Sequence, residues 1–399
     1  MTTEKKKRKL GLLPKILIAI ALGIGCSYFF PEWGTRVFVT FNDLFGNFLG
    51  FVIPLIILGL VAPGIAELGN GAGRLLGLTV LLAYGSTLFA GFLAYFTCVG
   101  VYPHILDNSG GVNALTQLDQ TVVTPFFSIE MPPVMGVMAA LILAFILGMG
   151  LARVKGQAFK EVLIEFREVV TKLITAVIIP LLPLYIFGIF LKMGAEGQVG
   201  GVMSLFLKVI VVIFILHILL LLIQFIVAGG VSGKNPFRLL KNMLPAYMTA
   251  LGTQSSAATI PVTLQCSLKN GVKPEIAGFT VPLCATIHLA GSTLKIVSCA
   301  VAIMYMMGMA TPVGLFAGFI MLLGVTMVAA PGVPGGAIMA ALGVLASVLG
   351  FDETLQALMI ALYIAMDSFG TAANVTGDGA IAVVIDRIYH GKAPAKTAG

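Results

Sequence analysis

Charge is scarce in this sequence. Asp, Glu, Lys and Arg make up 10% of its 399 residues, against 58% hydrophobic ones. A soluble globular domain carries about 25% charged residues, so this chain cannot cover a water-facing body of its own size. Soluble enzymes, nucleic-acid binders and secreted scaffolds are excluded, and an integral membrane protein remains. Cysteine is sparse too. Cys26, Cys98, Cys266, Cys284 and Cys299 lie in apolar runs without metal-type spacing, which argues against a metal site and reads as buried thiols. No small-residue cleavage site of the A-x-A type follows the basic start and the apolar run 16–30, so that run reads as a retained first helix.

What is present is apolar length. At about 20 residues per crossing, the chain offers roughly eight to ten spans. They fall near 14–30, 37–65, 75–101, 133–151, 170–191, 202–227, 275–307 and 354–389. Two stretches break the pattern. Segment 235–271 is long enough to cross, yet its middle reads TALGTQSSAATIP, and VAAPGVPGGA at 328–337 interrupts the run 312–350. Irregular backbone facing lipid leaves N–H and C=O groups unpaired at several kcal/mol each, so such breaks belong inside protein or beside a watery cavity. Two broken segments, each followed by a helix carrying polar residues, give the pattern of inverted-repeat transporters; a pair of kinked ordinary helices is the plainer alternative.

Lys and Arg positions orient the spans. With the N-terminus inside and both broken segments read as hairpins, 20 of the 24 fall in cytoplasmic segments, only Arg36 and Lys192 fall outside, and Lys208 and Lys295 lie within spans. The connection 102–132 has no Lys or Arg and is read as external. Full crossings in place of hairpins would put Lys269 and Lys273 outside. The net charge of +7 is therefore topology, with both termini cytoplasmic in an inner, multi-pass membrane location.

Chemistry concentrates in the last two helices. Asp367, Thr371, Asn374 and Asp378 recur at helical spacing, within about 60° of one another along roughly 16 Å. Each acid costs about 2.5–3.5 kcal/mol to insert and by default marks a substrate or ion path. Helix-gluing polar contacts would explain Thr371 and Asn374 but not two acids. In ATIHLAGSTLK, His288, Ser292 and Lys295 sit at i, i+4 and i+7 and share one face. An intramembrane lysine needs a carboxylate, a carbonyl cage or loss of its charge, and His288 is a candidate proton carrier. His217, in an aliphatic run, reads as a hydrogen-bonded core residue. An aspartyl protease dyad would need carboxyls sharing a proton, which eleven residues on one helix forbid, and Val375-Thr376-Gly377 is not the Gly-x-Gly of such enzymes. A channel would need a ring or filter of ligands, and alternating broken segments suit a closable site better.

QSSAATIPVT at 254–263, ATIHLAGS at 285–292, APGVPGG at 330–336 and DSFGTAANVTGD at 367–378 together resemble the dicarboxylate/amino acid:cation symporter family, the glutamate-transporter family. The order of motifs matches from about 235 to 389, and more weakly through FVIPLIILGLV at 51–61. The resemblance implies an all-α polytopic fold of eight transmembrane helices plus two re-entrant hairpins in inverted repeats, assembled as a homotrimer and working as an elevator. It implies scaffold helices 1 and 2 at 1–72, helix 3 of the transport domain at 73–102, an external loop at 103–132 and scaffold helices 4 and 5 at 133–198. The rest of the transport domain lies at 199–399, with hairpin 2 as gate.

Residue by residue, the resemblance puts Asp367 on the substrate ammonium, Asn374 on its α-carboxylate and Thr371 in the pocket. Ser255 and Ser256 form the hairpin 1 tip, and Gly332, Val333 and Gly335 the hairpin 2 tip. Asp378 matches a sodium-ligating carboxylate; Thr286, Asn374 and, by this chain's own residues rather than by the resemblance, His288 and Lys295 are the further candidates for cation or proton coupling. No catalytic residue is implied, and no cofactor beyond a bound Na⁺. Two departures shift the reading. Acidic-substrate members carry an arginine at the position of Gly370 or of Gln254, whereas 251–261 and 366–378 contain no Lys or Arg. This favours a small neutral amino acid such as serine, threonine or alanine over an acidic amino acid or dicarboxylate. The family pattern Asn-Met-Asp-Gly-Thr becomes His288-Leu289-Ala290-Gly291-Ser292, losing cation oxygens, while Lys295 is new. Coupling to H⁺ in place of Na⁺, or besides it, is the resulting expectation.

Overall fold

A chain this apolar has no water to solvate its backbone inside a bilayer, so each segment satisfies its own N–H and C=O groups by coiling. In the computed structural model, which describes residues 12–68, 73–106, 123–154, 156–195, 199–328, 330 and 334–390, the described residues form helices and no strand. They are α1 (Leu12–Ser27), α2 (Glu32–Leu68), α3 (Gly73–Ile105), α4 (Val137–Leu151), α5 (Ala158–Leu173), a π turn (Ile174–Ile178), α6 (Ile179–Ala195), α7 (Val199–Ser232), α8 (Pro236–Thr253) and α9 (Ser256–Lys269). Then come α10 (Pro274–Ile287), α11 (Ala290–Met306), α12 (Val313–Val328), α13 (Gly336–Leu349), α14 (Glu353–Ala365) and α15 (Asp367–His390).

Among the described residues, Glu32–Pro63, Arg74–Ile105, Ala158–Ala195, Phe206–Ser232 and Pro274–Met306 are long and apolar enough to cross a membrane, and α14 with α15, bent by 63° between them, is long and apolar enough only as a pair, as a broken span or a re-entrant loop. Two expected continuous helices are therefore interrupted. The run 354–389 turns sharply at Met366, and 275–307 opens at His288, which has φ −103° and ψ 96°. Both interruptions fall beside buried polar side chains that bond to other helices, so tertiary partners set the local backbone.

The two broken segments are helix pairs. α8 and α9 pack together across a turn at Gln254, the one non-glycine residue with positive φ among those described. Ser255 then caps α9, its Oγ accepting from the Ala258 N–H at 3.3 Å. α12 and α13 also pack on each other. At 1.5 Å per residue these four helices are roughly 21–27 Å long, short of the ~30 Å hydrocarbon core. Gly332 and Val333, expected at the second tip, lie outside the described residues.

Burial separates helices with one exposed face from core helices. On α7, Leu207, Val211, Ile215 and Ile218 are exposed while Val209, Ile213, Leu216 and Leu220 are buried, the two faces of a helix at the edge of the protein. α11 is buried almost end to end, packed against α3, α7 and α15. Small residues let helices approach where no hydrophobic force acts between them. Ala140 and Ala144 are fully buried, and with Gly148 they recur every four residues on α4, which packs on α2.

Gly148 tests this close approach. A Cβ there would lie 2.6 Å from Ile65 Cβ and 2.9 Å from the Ala62 carbonyl oxygen, whereas a Cβ at Gly150 meets nothing within 4 Å. Gly148→Ala is expected to destabilise by about 1–3 kcal/mol through overpacking. Gly150→Ala should be neutral or stabilising by up to ~1 kcal/mol. Thermal unfolding of the two detergent-solubilised variants checks the contrast.

Candidate functional site

The site forms where α11 and α15 begin. Each starts at a break, and the first N–H groups of a helix have no partner within it. α11 receives none from its own N-cap residue Leu289. Asn374, 83 residues away on α15, supplies it instead: its Oδ1 accepts from the Gly291 N–H at 2.8 Å and the Ser292 N–H at 3.2 Å. Its Nδ2 donates to Ser292 Oγ at 3.0 Å, and the Tyr363 hydroxyl donates to the same oxygen at 3.1 Å. Gly291 permits this approach, since a Cβ there would lie 2.7 Å from Ala373 Cβ and 2.8 Å from the Gly370 oxygen.

Asp367 opens α15 just past the bend, where the helix dipole favours an anion. It is 4% exposed. Its Oδ2 accepts from the Gly335 N–H at 2.7 Å, and Lys295 Nζ lies 3.3 Å from Oδ1. The Lys295 ammonium also sits 3.3 Å from the centroid of the Tyr363 ring, a cation–π contact. A Cβ at Gly370 would lie 2.9 Å from Nζ, so the missing side chain at 370 is the space the lysine fills. The α8–α9 tip meets the same place, with Gln254 Nε2 donating to Ser368 Oγ at 2.8 Å.

A second buried pair lies further along α15. His288 Nδ1 is 2.8 Å from Asp378 Oδ1, with both side chains buried. The other ring nitrogen is 3.0 Å from Ser86 Oγ, which accepts from Gln224 Nε2 at 2.9 Å. An ionised Asp378 can only accept, so in that state Nδ1–H donates to it, and Nε2 meets a hydroxyl able to donate or accept. A sodium ion takes oxygen ligands, and here a nitrogen donor faces the carboxylate. Among the described residues no group of three or more His, Cys, Asp and Glu could hold a metal ion. Gly377 makes room for both partners, because its Cβ would lie 2.7 Å from His288 Cε1 and 2.8 Å from Gln224 Oε1.

The structure thus brings together Asp367, Lys295, Gly335, Gly370 and Asn374, and separately His288 with Asp378. Thr371 is buried on the same helix, and Ser255 and Ser256 are partly buried at the α8–α9 tip. Thr286 is exposed, its Oγ1 donating to the Leu283 carbonyl at 2.7 Å. The expected common face of His288, Ser292 and Lys295 is corrected: the break at His288 aims it at Asp378, while Lys295 reaches Asp367. His217 hydrogen-bonds as expected of a core histidine, Nε2–H donating to the Gly291 carbonyl at 3.0 Å. Ser86, Gln224 and Tyr363 escaped the sequence reading, though Ser86 and Gln224 are isolated polar residues in apolar runs, the signal that marked His288.

A family model described as the sodium:dicarboxylate symporter family matches residues 12–388. A protein named serine/threonine transporter SstT from Acinetobacter baumannii (strain AYE) is 27% identical over 391 residues, covering 95% of this chain and 97% of its own. One of the same name from Enterococcus faecalis (strain ATCC 700802 / V583) is 24% identical, covering 94% of this chain and 91% of its own. Excitatory amino acid transporter 1 of Rattus norvegicus is 31% identical over 241 residues, 59% of this chain and 43% of its own.

Asn374→Ala would strip two buried N–H groups of their acceptor. An unsatisfied buried donor costs about 1–3 kcal/mol, so the variant should unfold at clearly lower temperature than wild type in the same detergent. An unchanged transition would mean that the α11 N-terminus does not depend on this amide.

Proposed function

The chain belongs to the sodium:dicarboxylate symporter family, and from that premise we propose that it is a secondary active, cation-coupled symporter of a small neutral amino acid resembling serine, threonine or alanine. The observation that carries this reading is Asp367: a buried carboxylate at a helix start, closed over by the Gly335 N–H and suited to an α-ammonium. Relatives named for serine and threonine at 27% identity support the same side-chain class. The proposed movement is an elevator, with 1–72 and 133–198 as scaffold, 73–102 and 199–399 as transport domain, and the α12–α13 tip as gate. The proposed assembly is a homotrimer in the inner membrane with cytoplasmic termini.

A specific observation favours a second reading. Lys295 Nζ fills the space at Gly370, so a cation stands in the pocket after all, and an acidic amino acid or dicarboxylate would use it as counter-charge. Uptake into proteoliposomes with competing amino acids separates the two. Serine, threonine or alanine should compete best; aspartate or glutamate competing best would replace the first reading by the second. Asp367→Ala removes the ammonium partner at a cost of about 2–5 kcal/mol, roughly thirty-fold or more in affinity. Unchanged binding by a variant that elutes like wild type would move the site elsewhere.

For the coupling ion we propose a proton, in place of sodium or beside it. His288 is the leading carrier and Lys295 the second, because His288 is hydrogen-bonded to Asp378 and to Ser86. Each positive charge moved inward contributes about 2.3 kcal/mol per 100 mV, so loss of one ion without replacement would weaken accumulation severely. A sodium ion at Asp378 and carbonyls near Cys284 is the competing arrangement. Uptake with sodium replaced by choline, between about pH 5.5 and 8, decides. Sodium-independent uptake that collapses with the pH gradient, and a His288→Asn variant without pH response, are the expected results. Strict sodium dependence with no pH response would sink proton coupling.

A further inference from the structure

Lys295 is fully buried and reaches Asp367 from a different helix. Among the described residues Asp367 Oδ1 is its one hydrogen-bond acceptor, and the Tyr363 ring its one aromatic contact. An ammonium has three donors, so it retains capacity for a ligand. The charge of the pair is fixed whichever way its proton lies. An ammonium beside a carboxylate sums to zero, and so does an amine beside a carboxylic acid. The other side chains of the cluster, Asn374, Ser292 and Tyr363, add no charge in their ordinary forms. A zwitterion entering this cluster leaves the sum at zero: its ammonium takes Asp367, and its carboxylate takes Lys295. A ligand with a further carboxylate would bury one negative charge without a partner, at a cost of several kcal/mol.

We infer that Lys295 is the specificity-determining residue of this site, an internal counter-cation that selects ligands of zero net charge and removes the need for a co-bound cation there. The inference rests on the proposed reading of Asp367 as the substrate acid. It differs from proton or sodium coupling at Asp378, which lies eleven residues further along α15.

Equilibrium binding to the purified full chain in detergent tests it, with L-serine and L-aspartate as probes in sodium chloride and in choline chloride. Wild type should prefer serine. Lys295→Met leaves the site with one unbalanced negative charge, so its serine affinity should acquire a sodium requirement. The ratio of dissociation constants in choline and sodium should rise about tenfold or more over wild type, the scale of an ordinary coupling between sites. Lys295→Arg keeps the charge and should keep both the preference and the ratio. Asp367→Asn leaves one positive charge and should shift preference toward aspartate by about tenfold or more.

A wild type that prefers aspartate overturns the inference, and so does a Lys295→Met variant with the wild-type ratio. If Lys295→Met does not elute as folded protein, Asp367→Asn decides alone, and a retained serine preference overturns the inference. Serine binding that ignores both charge changes defeats the inference and leaves the proposed function standing. Binding of neither probe to wild type defeats both.

Discussion

The rest of the molecule depends on the cost of burying a carboxylate away from water. Two of the carboxylates on α15, Asp367 and Asp378, are almost wholly buried, and the chain meets each with a basic side chain of its own. Lys295 stands 3.3 Å from the first and His288 2.8 Å from the second. Once these pairs are required, much of the surrounding backbone is constrained. Gly370 and Gly377 have no side chains because the lysine ammonium and the imidazole occupy that space. The helix breaks at His288 and at Met366 put the partners where straight helices would not.

Those breaks also create helix starts inside the protein. Each start exposes N–H groups, and the fold uses them as contacts between elements. Asn374 accepts from the beginning of α11, while Asp367, at the beginning of α15, accepts from Gly335 before α13. The α8–α9 tip joins the same region through Gln254 and Ser368. Both broken helix pairs therefore meet at the first turn of α15.

The family assignment and the pairing answer different questions. Similarity over residues 12–388 makes the chain a member of the sodium:dicarboxylate symporter family, whereas the site has its own charge arrangement, with Lys295 beside Asp367 and His288 beside Asp378. Substrate and coupling ion are therefore questions for this chain's residues rather than for the family's description.

Much was legible from local composition. The scarcity of charge gave the membrane, the apolar runs gave the helices to within a few residues at most ends, and the small polar residues around Gln254 and Gly335 marked the turns. Asp367 and Asp378 stood out because an acid in an apolar helix is costly wherever it lies. Sequence could not decide which cation serves which acid. Helical spacing placed His288 and Lys295 on one face, but spacing holds only while the helix continues, and it opens at His288. Their partners are 90 and 72 residues away, and Ser86 and Gln224 come from two further helices. Hydropathy is a sum over neighbours in sequence, so the chain alone determines it. A buried hydrogen bond or ion pair needs atoms within about 3 Å in a set direction, and only the packing of distant helices could bring those atoms together.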